Sequence, residues 1–202
     1  MTKINTRRVR VSEEEFHGEA LKRIMFLTGQ PGIGKTSVLI KVLDALKTRG
    51  YKVGGMVSRE IREGRVRVGF EIVDLQTGRK GWLSHVNQPA GPQVSKYRVN
   101  LNHLQVIGAS SILNAVANAD VVAIDEIGPM ELFSPDFKEA VAQAIRSRKP
   151  VLGTIHYKAR DPLITNIKAR DDVEILEITY KNRRDLHNFI IDKIIQCVQK
   201  SS

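Results

Sequence analysis

Apolar residues recur along this chain with two periods, and the switch from one to the other sketches the fold. Ile24-Met25-Phe26-Leu27 is an unbroken apolar run of strand length. From Ser37 to Leu46 the apolar positions fall at helical spacing instead. Arg49-Gly50 stops that helix, and Lys52-Val53-Gly54-Gly55-Met56-Val57-Ser58 predicts a second strand. Val66 to Leu75 alternates as a third strand, and Thr77-Gly78 turns it into a fourth at Gly81-Trp82-Leu83. The pair is expected as an antiparallel hairpin inserted after strand two. The stretch from His85 to Ser95 holds two prolines and a glycine, and is expected to be a mobile or ligand-facing loop.

Beyond that loop, Leu101 to Ala119 predicts a helix with Leu104, Ile107, Ile112 and Ala115 in the core. Four apolar residues, Val121-Val122-Ala123-Ile124, then run into Asp125-Glu126, as in a buried parallel strand that delivers acids to its C-terminal end. Ser134-Pro135 is an N-cap followed by proline at the first helical position. The helix after it puts Phe137, Ala140, Val141, Ala144 and Ile145 on one face. Pro150 to Ile155 predicts a strand ending at His156, Asp161-Pro162 a short helix, and Val173 to Ile178 a last strand. A closing helix from Asn182 to Gln199 carries the stripe Leu186, Phe189, Ile190, Ile194, Cys197 and Val198. Alternating strands and helices of these lengths predict an α/β fold in three layers around a mainly parallel sheet, with the hairpin as an insertion. Residues 22–202 form this domain. Residues 1–21, with basic Arg7-Arg8-Val9-Arg10 and the cap-like Ser12-Glu13-Glu14-Glu15, read as an N-terminal extension.

The candidate chemistry lies where the first strand meets the first helix, at Gly29-Gln30-Pro31-Gly32-Ile33-Gly34-Lys35-Thr36. Strand, G-x-x-x-x-G-K-[ST] and helix in that order are the context of a phosphate-binding P-loop. The glycines let successive backbone N–H groups close on a polyphosphate, and the helix turns its positive end toward the same anion. Lys35 reaches the β- and γ-phosphates, and the Thr36 hydroxyl is a ligand for Mg²⁺. Asp125 is the matching carboxylate for the metal, and Glu126 beside it suits a water-activating base. The expected ligand is a nucleoside triphosphate, with Mg²⁺ as cofactor.

Composition changes the picture little. No apolar run approaches the roughly 18 residues of a membrane span, and the charged N-terminus has no signal core, so a cytoplasmic protein without a membrane partner is expected. Cys197 is the one cysteine, which excludes an intramolecular disulfide and a cysteine metal cluster. The net charge of +10 admits nucleic acid as a partner, but no basic–aromatic interleaving supports it. Oligomeric state is not legible.

Three stretches together resemble the P-loop nucleoside-triphosphatase family, also called cancer-related nucleoside-triphosphatase. They are Gly29-x-Pro31-Gly32-x-Gly34-Lys35-Thr36, Glu60-Ile61-Arg62 with Arg67-x-Gly69-Phe70, and Ile124-Asp125-Glu126-Ile127-Gly128-x-Met130-Glu131-Leu132. Gly153-Thr154-Ile155 and Asn182-Arg183 fit as well, so the resemblance covers residues 22 to 198. It implies Mg²⁺-dependent hydrolysis of nucleoside triphosphates with low discrimination among bases. It also implies that Val121, Val122, Ala123, Ile124, Asp125, Glu126, Ile127 and Gly128 face the nucleotide beside the loop. Arg67 becomes a candidate catalytic arginine, and Asn182 and Arg183 candidate contacts to base or ribose, with a helix cap and a surface arginine as the plain alternative. The family pattern Arg-x-Gly-x-Tyr is replaced by Gln93-Val94-Ser95-Lys96-Tyr97. Any role of the missing arginine is then vacant or passes to Lys96 or Arg98, and hydrolysis should be slow. Two other readings share the phosphate cradle: a nucleotide or nucleoside kinase, and a module that binds RNA under ATP control.

Overall fold

The first strand dictates the layering, because it has no polar face. In the computed structural model, which describes residues 21–201, β1 (Ile24–Thr28) is buried along its whole length. Ile24 and Phe26 point to one hydrophobic cluster, Met25 and Leu27 to a second on the opposite side. A period-2 split of that kind requires helices on both faces of the sheet. They are α1 (Lys35–Thr48) with α6 (Leu186–Ser201) on one side. On the other lie α2 (Leu101–His103) and α3 (Ser110–Asn118), joined by a π-helical segment at Leu104–Ala109, and α4 (Pro135–Arg146). The short α5 (Pro162–Lys168) adds Ile164 and Ile167 to that second layer.

The sheet has nine strands. Five form the parallel part in the order β2 (Val53–Glu63), β7 (Val121–Ile127), β8 (Val151–Ile155), β1 and β9 (Val173–Glu177). On the other side of β2 follow β3 (Val66–Asp74), β4 (Lys80–His85), β6 (Tyr97–Val99) and β5 (Gln93–Val94), all antiparallel. The expected α/β architecture is present, with one refinement. The expected antiparallel hairpin of β3 and β4 follows strand two, and strand two itself runs on to Glu63 and pairs with β3, so that the hairpin extends the main sheet. Part of the loop from His85 to Ser95 is also a strand, since Gln93–Val94 pairs with β6.

Local signals hold where a side chain enforces them. Ser134 Oγ accepts the Phe137 N–H at 3.1 Å ahead of Pro135, and all five residues on the predicted face of α4 are buried. Gly50 takes φ 87° after α1 and donates its N–H to Lys47 O, a glycine stop. The C-terminal helix differs. It begins at Leu186, not Asn182, because the Asn182 side chain accepts the Thr179 N–H and donates to Glu177 O. Such local bonding competes with helical winding. Within that helix Ile191 is buried with Ile190, Ile194 and Cys197, whereas Phe189 lies exposed under the Lys193 ammonium. The expected N-terminal extension, with its basic and cap-like motifs, lies outside the described residues apart from Leu21. Among the described residues no helix is long and apolar enough to cross a membrane.

Ser95, in the tight turn between β5 and β6, has φ 56°, the left-handed region that side chains disfavour. It stands where the family pattern places glycine. Ser95→Gly is expected to raise stability by about 0.5–1 kcal/mol, the strain relieved less the entropy glycine loses on folding. Thermal or urea melts measure it; an unchanged or lowered midpoint contradicts the account.

Candidate active site

Backbone conformation shapes the loop before any side chain acts. Gly32 and Gly34 have φ of 76° and 107°, and Gly29 sits so close to β9 that a Cβ there would lie 2.8 Å from Ile178 O. Gly34 is the residue before α1, and no side chain caps that helix. Its first-turn N–H groups therefore have no partner within the helix and remain available to an anion. Gly34, Lys35, Thr36 and Ser37 line one wall of a cleft of about 580 Å³; Ser58, Arg59, Glu60, Arg67 and Phe70 line the other, with Glu126 and His156 between. A cleft of about 300–1,000 Å³ is the usual size for a small-molecule ligand.

Asp125 is fully buried at the end of β7, where pairing with β8 loses its regular register between Ile124 and Ile127. The Thr154 hydroxyl donates to its Oδ1 at 2.7 Å and the Thr36 hydroxyl donates to the same oxygen at 3.2 Å. Oδ2 is buried without a hydrogen-bond partner. A buried carboxylate oxygen with spare acceptor capacity, next to a threonine hydroxyl on the phosphate loop, fits the hard-oxygen donor set that Mg²⁺ takes. Burial drives the Asp125 pKa up, and the bonds from Thr154, Thr36 and the Ser58 backbone, with the charge of Lys35, pull against it. A cation at Oδ2 would act in the same direction as Lys35.

Glu126, next along, is only half-buried. Its Oε1 lies 4.0 Å from Lys35 Nζ and has no hydrogen-bond partner. Burial raises its pKa; Lys35 opposes that and the Asp125 charge adds to it. A carboxylate shifted upward is a better proton acceptor near neutral pH than an ordinary one. Glu131 lies behind it, buried, with backbone N–H bonds from its own residue and Gly128, and burial pushes its pKa to about 8. It is therefore uncharged at neutral pH.

The remaining expected site residues divide. Gln30 and Pro31 line the cavities around the loop, while Ile33 is buried in the α1 core and only its backbone serves the turn. Val121, Val122, Ala123 and Ile124 are fully buried in the sheet, as is Ile127. Their expected contact with the nucleotide is corrected: in a strand covered on both faces, Glu126 alone of β7 lines the cleft, and Asp125 is sealed beside it. Gly128 turns the chain toward Glu131 and lines none of these cavities.

Arg67 does reach the cleft wall. Its Nε donates to Tyr97 Oη at 2.9 Å and its Nη1 to Glu60 Oε2 at 2.7 Å, and its guanidinium lies 5.1 Å from the Phe70 ring centre. Lys96 instead sits over the Tyr97 ring and Arg98 donates to Gly91 O, so neither lines the phosphate cleft. Asn182 holds a turn, while Arg183 and Arg184 border a separate cavity of about 270 Å³ beside Ser37 and Lys41. Trp82 stacks on His85 and Tyr97 packs edge-on against Phe70; neither lines the cavities around the loop. Thr154, Ser58 and Glu60 were beyond sequence reasoning as site residues. Thr154 carried one signal, a hydroxyl inside an otherwise apolar strand.

An amide cradle opening a helix, with a carboxylate near the C-terminal end of a parallel strand one place removed from β1, places this chain among the P-loop nucleotide-binding proteins. Residues 24–191 match a family described as NTPase, and the chain belongs to that family. It is 51% identical to the nucleoside-triphosphatase THEP1 of Thermofilum pendens over 158 residues, 78% of this chain and 87% of that protein. It is 43% identical to the protein of that name from Methanosarcina acetivorans, over 84% of this chain and 95% of the other. Its fold is similar to the crystal structure of THEP1 from Aquifex aeolicus, with TM-score 0.75 and 28% identity, covering 85% of this chain and 98% of that one. The solution structure of a human cancer-related nucleoside triphosphatase is also similar, with TM-score 0.70 and 36% identity, covering 89% and 99%.

Glu131 yields a prediction. The folded chain holds its proton more tightly than the unfolded one, so the linked stability is complete below the ordinary value of 4.5 and is lost as pH rises through about 8. Glu131→Gln keeps the shape without the ionisation. Its melting temperature should fall less than that of the wild type between about pH 5 and 8. Equal slopes in thermal melts across that range would show that the carboxyl is not kept neutral by folding.

Proposed function

We propose that this chain hydrolyses nucleoside 5′-triphosphates to the diphosphate and phosphate in a Mg²⁺-dependent reaction with little preference among bases. The observation that carries the reading is the convergence of the phosphate loop with Asp125 and Glu126 on one cleft. Backbone N–H groups of the loop and Lys35 hold the polyphosphate. Thr36 and Asp125 Oδ2 would hold the metal, which supplies neutralising charge at the β- and γ-phosphate oxygens. Glu126 orients a water and takes its proton as the water oxygen bonds to the γ-phosphorus. The bond from that phosphorus to the bridging oxygen breaks, the diphosphate leaves with the electron pair, and the proton passes on to the phosphate formed. Arg67, shared between Glu60 and Tyr97, contacts the phosphate from the hairpin side. Arg183 and Arg184 offer flat guanidinium faces beyond the helix end, and stacking on such a face tolerates any base.

Charge favours water over a nucleotide as acceptor. The cavity beyond Glu126, about 240 Å³, is lined by Leu83, Val94 and Met130 together with the carboxyl groups of Glu126 and Glu131. A nucleoside monophosphate brings negative charge that the Glu126 carboxylate opposes, and no lysine or arginine lines the space. For the RNA-binding reading the support is net charge alone.

The decisive assay measures phosphate release from ATP, GTP, CTP and UTP, with and without Mg²⁺ and without any acceptor. Release from all four only when the metal is added is expected, with turnover on the order of 10⁻² s⁻¹, as for P-loop enzymes acting without a partner's arginine. Label that leaves ATP only when a nucleoside is supplied would identify a kinase. Glu126→Gln should keep nucleotide affinity and lose about 100-fold or more of the rate. Lys35→Ala should weaken both, which isothermal titration and the same assay resolve.

A further inference from the structure

The transition state of γ-phosphoryl transfer spreads negative charge over three oxygens, and cations near them carry much of the catalysis. Lys35 is one such cation. The field of the Arg67 charge is partly offset, because the Glu60 carboxylate accepts from it at 2.7 Å. The opposite side of the phosphate loop offers another. A cavity of about 450 Å³ is lined there by Gly29, Gln30, Pro31, Lys35, His156 and Lys158. Gln30 and Pro31 begin the loop, on the side away from the helix end where Arg183 and Arg184 lie. That side is where the terminal phosphate rests if the base lies toward those arginines.

The backbone of Lys158 is held in a turn beside the site. Its backbone N–H donates to His156 Nδ1 at 3.3 Å, closing a tight turn at the end of β8. Two residues before His156, Thr154 is tied to Asp125. The base of the turn is thus fixed to the carboxylate at the centre of the site. Lys35, His156 and Lys158 line the same cavity, and the charges of the two lysines, after burial, hold the His156 pKa below its usual value. Among the described residues Lys158 takes part in no ion pair. Its charge is not spent on a protein carboxylate.

We infer that Lys158 is a catalytic residue, the cation supplied within the chain that contacts the γ-phosphate oxygens as charge develops on them. The assignment rests on the hydrolase reading above.

The test uses the full chain with Lys158→Ala and Lys158→Arg. Saturating turnover, affinity for Mg²⁺-ADP, and affinity for Mg²⁺-ADP with aluminium fluoride, a planar mimic of the transferring group, are measured for each. Lys158→Ala should lower turnover about 10- to 100-fold, below the 10³–10⁵ of a full arginine finger because a lysine on an exposed turn is more solvated. Its affinity for ADP alone should stay within about twofold, and the added affinity conferred by aluminium fluoride should fall in step with turnover. Lys158→Arg should restore most of both. An alanine variant as active as wild type overturns the assignment, and so does a loss of ADP affinity equal to the loss of turnover. A wild-type chain that releases no phosphate overturns the hydrolase reading first, and this inference with it.

Discussion

The structure depends on one buried carboxylate held by two hydroxyls. Asp125 takes bonds from Thr36 on the phosphate loop and Thr154 on β8, so three elements meet at one oxygen. Burying such a group is costly unless its acceptor capacity is used. Here Oδ1 takes both hydroxyls, while Oδ2 is buried without a hydrogen-bond partner. The same contact that orients the acid also ties the P-loop helix to the central strands. Stability and chemistry are therefore coupled through this residue, and neither threonine can be changed without disturbing both.

Around that point the charges are arranged in order of burial. Asp125 is sealed, Glu126 is half open and faces Lys35, and Glu131 behind them is buried and protonated. If all three were ionised within so small a volume, each would raise the others' cost. Raising the pKa of the rear acid lessens its repulsion of the two carboxyl groups nearer the cleft. The family's long acidic motif thus has a division of labour that its letters alone do not reveal.

What was legible in the sequence is what chemistry demands at short spacing. A loop of fixed glycines with Lys35 and Thr36, and two acids after an apolar run, can be read because every part lies within a few residues. The layering followed from apolar periods, and Ser134 and Asp161 marked helix starts by their own bonds. The rest depended on sheet order. Thr154 reaches Asp125 from a strand 29 residues later, and Tyr97 reaches Arg67 across 30 residues of hairpin. Nothing local signals such meetings. The misjudged stretch from Val121 to Ile124 fails for a related reason: an apolar strand was taken as ligand-facing when its hydrophobicity is what seals it inside. The late start of α6 shows a polar side chain overruling helical pattern, as Asn182 satisfies the backbone in another way.

The second strand changes neighbours midway. Up to Met56 it runs alongside β7 in the same direction, and from Met56 onward it is laced to β3 running the opposite way. Slippage by one position to suit either partner would break the ladder with the other and turn every side chain over. Ser58, Arg59 and Glu60 lie just beyond that crossover. Their place on the cleft wall is accordingly set by β3 directly and by β7 only through the stretch before Met56, so a shift in either register would move them.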